Sequence, residues 1–379
     1  MALTGLVLVL MAVTACSDGG PASLPWSRLS WTPGSLPVPA GSRAMPRAAT
    51  WCAGRWVVAG AVADATGATR PAVWAGTDAV TWHPLRLRPG TDYYASQEVL
   101  GSVACSRGHL ALLGAKTGGA HGMPRTATWR ELPDGSLATV PASYLLYGGT
   151  ENVDVSRLVG GPQGYLIAGT RTSGAAVWQS VTGASFRLYD GAPGLASNAG
   201  LRTQAADGLA VDGRWLVAGD VTTDDGQVRA AVWSGERAGP WRRETVPGAS
   251  TLSTGDRLAL TGAGAEVAGS LDDGFGLWRE VGGGAWTLRD RFGRRAAGAT
   301  GASYVSGLAF TGSLTMAAYS DGQRFRLWVD GADVPLPTAV PASGDDTVTV
   351  ATHGPDALVL TDDGRQGRVW STEVPGPTS

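Results

Sequence analysis

Apolar and polar positions alternate along the chain in short segments of roughly four to eight residues, each bounded by glycine, proline or an Asp-Gly pair. Beyond Val13 no long run keeps the apolar period of a helix. Short apolar runs between turn formers predict strands. One such run ends in tryptophan seven times, about every 50 residues, at Trp74, Trp129, Trp178, Trp233, Trp278, Trp328 and Trp370. A second apolar strand comes before it and closes on glycine, as in Trp56-Val57-Val58-Ala59-Gly60 and Trp215-Leu216-Val217-Ala218-Gly219. Turn formers such as Asp225-Gly226, Asp273-Gly274, Asp321-Gly322 and Asp363-Gly364 lie between the two, which is a hairpin signal. Eight residues after each tryptophan but the last stands a large apolar residue, Trp82, Leu137, Phe186, Trp241, Trp286 and Leu336, each expected to open a further strand. A fourth strand, for example Thr347-Val348-Thr349-Val350, precedes the apolar pair.

Each unit is therefore four short antiparallel strands, and a sheet of that size buries both faces only by packing against neighbours. Seven such units predict an all-β fold, a seven-bladed β-propeller of four-stranded antiparallel blades. After Trp370 only a short tail rich in Pro and Gly remains, so the last blade is expected to lack its outer strand. Pro25-Trp26-Ser27-Arg28-Leu29 reads like the outer strands Pro240-Trp241-Arg242-Arg243-Glu244 and Ala285-Trp286-Thr287-Leu288-Arg289. Residues 24–31 are thus expected to complete the last blade and close the ring, removing an exposed edge. A single propeller domain is expected over 24–372, with 373–379 as a C-terminal tail.

The frame from Val73-Trp74 to Trp82, or from Leu277-Trp278 to Trp286, resembles the Asp-box repeats of sialidase-like propellers found in exported bacterial proteins, whose pattern is Ser-x-Asp-x-Gly-x-Thr-Trp. The copy at Gly76-Thr77-Asp78-Ala79-Val80-Thr81-Trp82 is one residue shorter between Asp and Trp and lacks the Gly, and the copy ending at Trp286 has no Asp. In that family the motif is a turn remote from the active site. The resemblance implies the fold, and a sialidase-like glycoside hydrolase as an alternative function. No catalytic residue can be carried over, because the family's Phe/Tyr-Arg-x-Pro motif is missing.

Ala2 to Val13 form an apolar stretch of signal-peptide length, too short to span a bilayer comfortably. It runs into Val13-Thr14-Ala15-Cys16, which resembles a bacterial lipobox. That resemblance implies a lipoprotein signal peptide over 1–15, lipidation of Cys16, and a flexible tether over 16–23 rich in small and turn-forming residues. Several acyl chains on one residue give stable anchoring. The expected location is outside the cytoplasm, anchored to the outer face of the cell membrane, and there a disulfide between Cys52 and Cys105 is permitted, with buried free thiols as the alternative.

Only 16% of the residues are charged and the formal net charge is −2. Nothing in that balance neutralises phosphates, which excludes nucleic acid as an expected partner. The four histidines, His83, His109, His121 and His353, fall in no zinc motif, and the single lysine, Lys116, in no phosphate-binding loop. No Gly-x-Ser-x-Gly elbow occurs. Neither a cofactor nor a metal is expected.

Two constellations remain as candidate ligand-binding residues. Arg70, Arg125, Arg229 and Arg324 each stand four residues before a blade tryptophan, on its side of the strand and near a hairpin end. They predict a basic rim or, alternatively, pairing with acidic turn residues such as Asp225 and Asp321. Tyr93, Tyr94, Tyr144, Tyr147 and Tyr189 fall in the long connectors between early blades, on the same face, and offer flat faces with a hydroxyl to sugars or peptides. The expected function is a non-catalytic binding or scaffolding module for a glycan or an envelope protein.

Overall fold

Hairpins of apolar strands stack into seven sheets, the blades of a propeller, in a computed structural model that describes residues 29–118, 124–236, 239–248 and 251–374. Six have the expected four antiparallel strands, and the second gains a fifth, Leu87–Arg88 from the preceding connector, which pairs parallel with its outer strand Leu137–Thr139. The region of the signal segment, Cys16 and the tether lies outside the described residues. The innermost strands are Arg43–Cys52, Val99–Ser106, Asn152–Gly161, Leu201–Val211, Arg257–Thr261, Ser303–Phe310 and Thr347–His353, in blades I to VII. Each packs against the next, and the last against the first, so the ring is closed. The second and third strands of each blade carry the core, and six of the seven repeat tryptophans, all but Trp370, are almost wholly buried. Blade VI departs from expectation at its edge: its outer strand is Ala332–Val334, formed by a tight turn at Asp330-Gly331 ahead of Leu336.

Ring closure uses the N-terminal segment, at a later register than residues 24–31. Thr32–Gly34 pairs antiparallel with the last strand, Thr32 opposite Ser371 and Gly34 opposite Val369. Leu29 and Trp31 do not enter the ladder; they pack against the cluster that contains Val340, Val359 and Val374. Residues 24–28 lie outside the described residues. The last strand runs through Glu373. The same seam holds a buried carboxylate, Asp362 of blade VII, which accepts from Arg43 and Arg47 of blade I at 2.7 Å each. On the other side of blade I, Cys52 and Cys105 form a disulfide between neighbouring innermost strands, with Cα atoms 5.5 Å apart.

The glycine that closes the apolar strand in most repeats has a steric cause. Opposite it the innermost strand carries a β-bulge, between Pro46 and Ala48 in blade I and between Ala205 and Asp207 in blade IV. A Cβ on Gly60 or Gly219 would fall 2.0 Å from the Met45 carbonyl oxygen or 1.9 Å from that of Gln204. The bulge brings backbone where a side chain would start, so only glycine fits.

The tryptophan of the third strand also ties down the connector that enters its own blade. Its indole Nε1 donates to the Pro37 carbonyl in blade I (2.9 Å), Leu146 in blade III (2.7 Å), Gly194 in blade IV (2.8 Å) and Pro247 in blade V (2.6 Å). A buried indole N–H needs such a partner. Blade II meets the need differently, and that difference builds the site described next.

Candidate functional site

In blade II the connector residue facing Trp129 is Glu98, whose carboxyl replaces the usual backbone carbonyl: Trp129 Nε1 donates to Glu98 Oε2 at 2.8 Å. The side chain is only 2% exposed. Burial, with a smaller contribution from the nearby Asp92 charge, pushes the Glu98 carboxyl up to about 7 against the opposing effect of the Trp129 hydrogen bond.

Around Glu98 three elements converge. The connector from blade I is turned by Asp92, whose Oδ1 accepts from the Tyr94 and Ala95 amides at 3.0 Å each. That turn presents Tyr94. The connector to blade III folds into one helical turn, Tyr144–Tyr147, capped by Ser143 Oγ on the Leu145 amide. It places Tyr144 outward and Tyr147 inward, where Tyr147 is buried with its hydroxyl 3.3 Å from Thr128 Oγ1. Burial raises the Tyr147 phenol well above its ordinary value, so it stays neutral. The third strand of blade II, Pro124–Glu131, brings Arg125 between these connectors. Its guanidinium carbon lies 4.2 Å from the centre of the Tyr144 ring and 5.4 Å from that of Tyr94, a double cation–π contact. Together these residues line a cavity of about 510 Å³ that also takes in Asp92, Thr139 and Pro141. This is well within the roughly 300–1,000 Å³ of ligand pockets.

Of the residues expected to bind, Tyr94, Tyr144, Tyr147 and Arg125 therefore meet in one cavity. Tyr93 does not line it; it stands 64% exposed with its ring edge-on to Tyr94 at 5.4 Å. Tyr189 is not a connector residue but ends the outer strand Arg187–Tyr189 of blade III, on a different cavity. The other three arginines stay with their own hairpins. Arg70 lies in the field of Asp64, Arg229 contacts Gln227 in the field of Asp225, and Arg324 lies 3.9 Å from Asp321. They form no shared rim with Arg125. The reason is legible in the turns: residues 117–123 of blade II contain no acid, and the strand partner of Arg125 is Lys116. Like charges opposite one another repel, so Arg125 takes the tyrosine faces instead.

Glu98 was not singled out by sequence reasoning, and the signal that could have found it is the acid lying directly before an innermost strand. Two other carboxylates are raised: Asp220 to about 7, by burial and by the Asp256 charge, and Asp256 by burial. Asp256 is engaged in fold contacts, its Oδ2 accepting from the Val305 amide of the next blade at 2.8 Å. Among the described residues no group of three or more His, Cys, Asp or Glu side chains is placed to hold a metal ion.

No protein-family model matches the sequence, and no curated protein is significantly similar to it. Among solved structures, the periplasmic gluconolactonase PpgL of Pseudomonas aeruginosa is similar over 79% of this chain and 87% of its own, at 14% identity and a TM-score of 0.50. The β-propeller domain of the trilobed protease from Pyrococcus furiosus aligns over 87% of this chain and 95% of its own, at 9% identity and a TM-score of 0.48. Likeness at this level concerns the fold alone.

Proposed function

We propose that this chain is an extracytoplasmic lipoprotein, anchored through Cys16, whose propeller binds a glycan in the blade II cavity without catalysis. The observation that carries the reading is Arg125, held between Tyr94 and Tyr144 in a cavity that the buried Glu98 also lines. Sugar rings stack on tyrosine faces, and their hydroxyls take hydrogen bonds from guanidinium and exchange them with a carboxyl. The lipobox resemblance at Val13 to Cys16 supports the anchor. A glycan array on the full chain, with Arg125→Ala and Tyr144→Ala beside it, tests the site: binding should fall at least about tenfold in both. A silent array with a specific envelope protein retained by the same residues would make the ligand a protein. Replacing Cys16 by Ala should move the protein from the membrane fraction to the soluble one.

One observation favours the second reading, a glycoside hydrolase. Glu98, raised to about 7, and Asp92 line the same cavity, which is the acid-and-carboxylate pairing of glycosidases. Under this reading the wild type releases nitrophenol from nitrophenyl glycosides and Glu98→Gln does not. Glycan binding with no turnover leaves the binding module.

A further inference from the structure

A second cavity, at the seam of blades III and IV, carries a different polar signal. Gln179 follows the tryptophan of blade III, in the strand Gly174–Ser180 that is buried along its whole length. It is 6% exposed, yet neither its Oε1 nor its Nε2 has a hydrogen-bond partner among the described residues. The equivalent residues of blades IV and V are polar too, but satisfied. Ser234 donates to Glu244 at 3.2 Å, and Arg279 to Glu266 at 2.6 and 2.9 Å. Blades I and VI avoid the need altogether with Ala75 and Val329 at this position, whereas blade III keeps a buried amide with both ends unmet, which is costly unless a ligand meets them.

Gln179 lines a cavity of about 260 Å³. The cavity lies beside the turns from first to second and from third to fourth strand, on the face opposite the connectors. Gln163, in the first of those turns, lines it as well. Its Nε2 donates to the Arg214 carbonyl of blade IV at 3.1 Å, which fixes the amide, and its Oε1 is buried without a partner among the described residues. Phe186 and Trp215 add flat apolar surface; no carboxylate is among the lining residues, and the one cation, Arg187, is exposed at the rim with its guanidinium 5.1 Å from the centre of the Tyr189 ring. The cavity shares no lining residue with that of blade II, so the inference does not rest on the function proposed for that site.

We propose that this cavity binds a neutral single-ring saccharide through Gln179 and Gln163. A pair of adjacent hydroxyls both donates and accepts, which matches the donor and acceptor ends of Gln179, and a further hydroxyl proton meets Gln163 Oε1. A carboxylate ligand meets only Gln179 Nε2 and the exposed Arg187 while setting acceptor against acceptor at both buried amide oxygens, and an apolar ring leaves three buried polar atoms unmet. The volume, just below the range of drug-sized pockets, suits one ring.

The test is titration of the full chain with methyl α-glucoside, methyl α-mannoside and methyl β-galactoside by calorimetry and saturation-transfer NMR, with sodium glucuronate and cyclohexanol as controls. At least one glycoside should bind saturably, and both controls at least about tenfold more weakly. Gln179→Leu should lower that affinity at least about tenfold while raising Tm, because it removes the unpaired amide. Gln163→Leu, at a half-buried turn position, carries the same expectation for binding if Gln179→Leu fails to fold. The proposal is overturned if none of the three glycosides binds, or if binding survives both glutamine substitutions.

Discussion

Blade II and blade VI carry the same arginine in the repeat, four residues before the tryptophan, and use it in opposite ways. In blade VI the turn begins at Asp321, 2% exposed, which accepts from the Gln323 and Arg324 amides at 2.9 Å and from Arg326 at 2.7 Å. Arg324 stays beside that carboxylate. In blade II the turn has no acid and Lys116 stands opposite, so Arg125 leaves its hairpin for two tyrosines of the flanking connectors. A repeat thus makes a candidate site by omission. Where the structural partner is missing, the side chain is available to something else.

Substitutions can break the contrast, beginning with the largest effect. Asp321→Ala removes the acceptor from Arg326 and from two turn amides. It should cost roughly 3 kcal/mol in chemical denaturation, from lost charge-assisted hydrogen bonds rather than an orphaned buried charge, since Arg326 and Arg324 reach solvent, and it should leave the glycan binding proposed for blade II intact. Glu98→Gln comes next. The Glu98 carboxyl is near 7 in the folded chain and about 4.5 in the unfolded one, so the folded state holds the extra proton between those values. Wild-type stability therefore falls as pH rises from about 4.5 to 7 and stays lower above that, by about 3 kcal/mol from this group. Glutamine keeps an acceptor for Trp129 and abolishes that share of the slope, so the difference between variant and wild type in urea melts at pH 5 and pH 8 isolates it. Equal differences at the two pH values would mean that Glu98 is not raised.

Arg125→Ala should change stability by less than about 1 kcal/mol, since the cation–π contacts are partly exposed. Its large effect is on ligand, and a variant that destabilises while binding glycan normally would make Arg125 structural. Smallest is Lys116→Glu, which supplies the acid blade II lacks. A cross-strand pair of opposite charge should add about 0.5 kcal/mol in place of a repulsion and draw Arg125 off Tyr144, weakening glycan binding.

The architecture was readable because its causes are local and repeated. Trp74 to Trp370, the strand-closing glycines and the Asp-Gly hairpins each answer a steric or hydrogen-bonding need that recurs in most blades. The register of closure was not, because Pro25-Trp26 reads as an outer strand while Leu29 and Trp31 are spent on packing and pairing begins at Thr32. In the candidate site, the tyrosines and Arg125 were visible from connector length and spacing. That Arg125 parts from Arg70, Arg229 and Arg324 depends on which residues face it across the ladder. Glu98 and Gln179 are ordinary polar residues in sequence, and their significance comes from burial by chain segments far away.

The three-residue strand Thr32–Gly34 sits against Val369–Ser371, so the first and last strands of the ring are neighbours in one sheet. For the ring, then, the place where the polypeptide is numbered from is arbitrary. A circular permutant that joins these two ends and opens the chain at an exposed hairpin, such as that at Gly226, should assemble the same seven blades. In such a permutant blade VII would become a continuous unit, and the ends of the polypeptide could be set at whichever blade an experimenter wished to label.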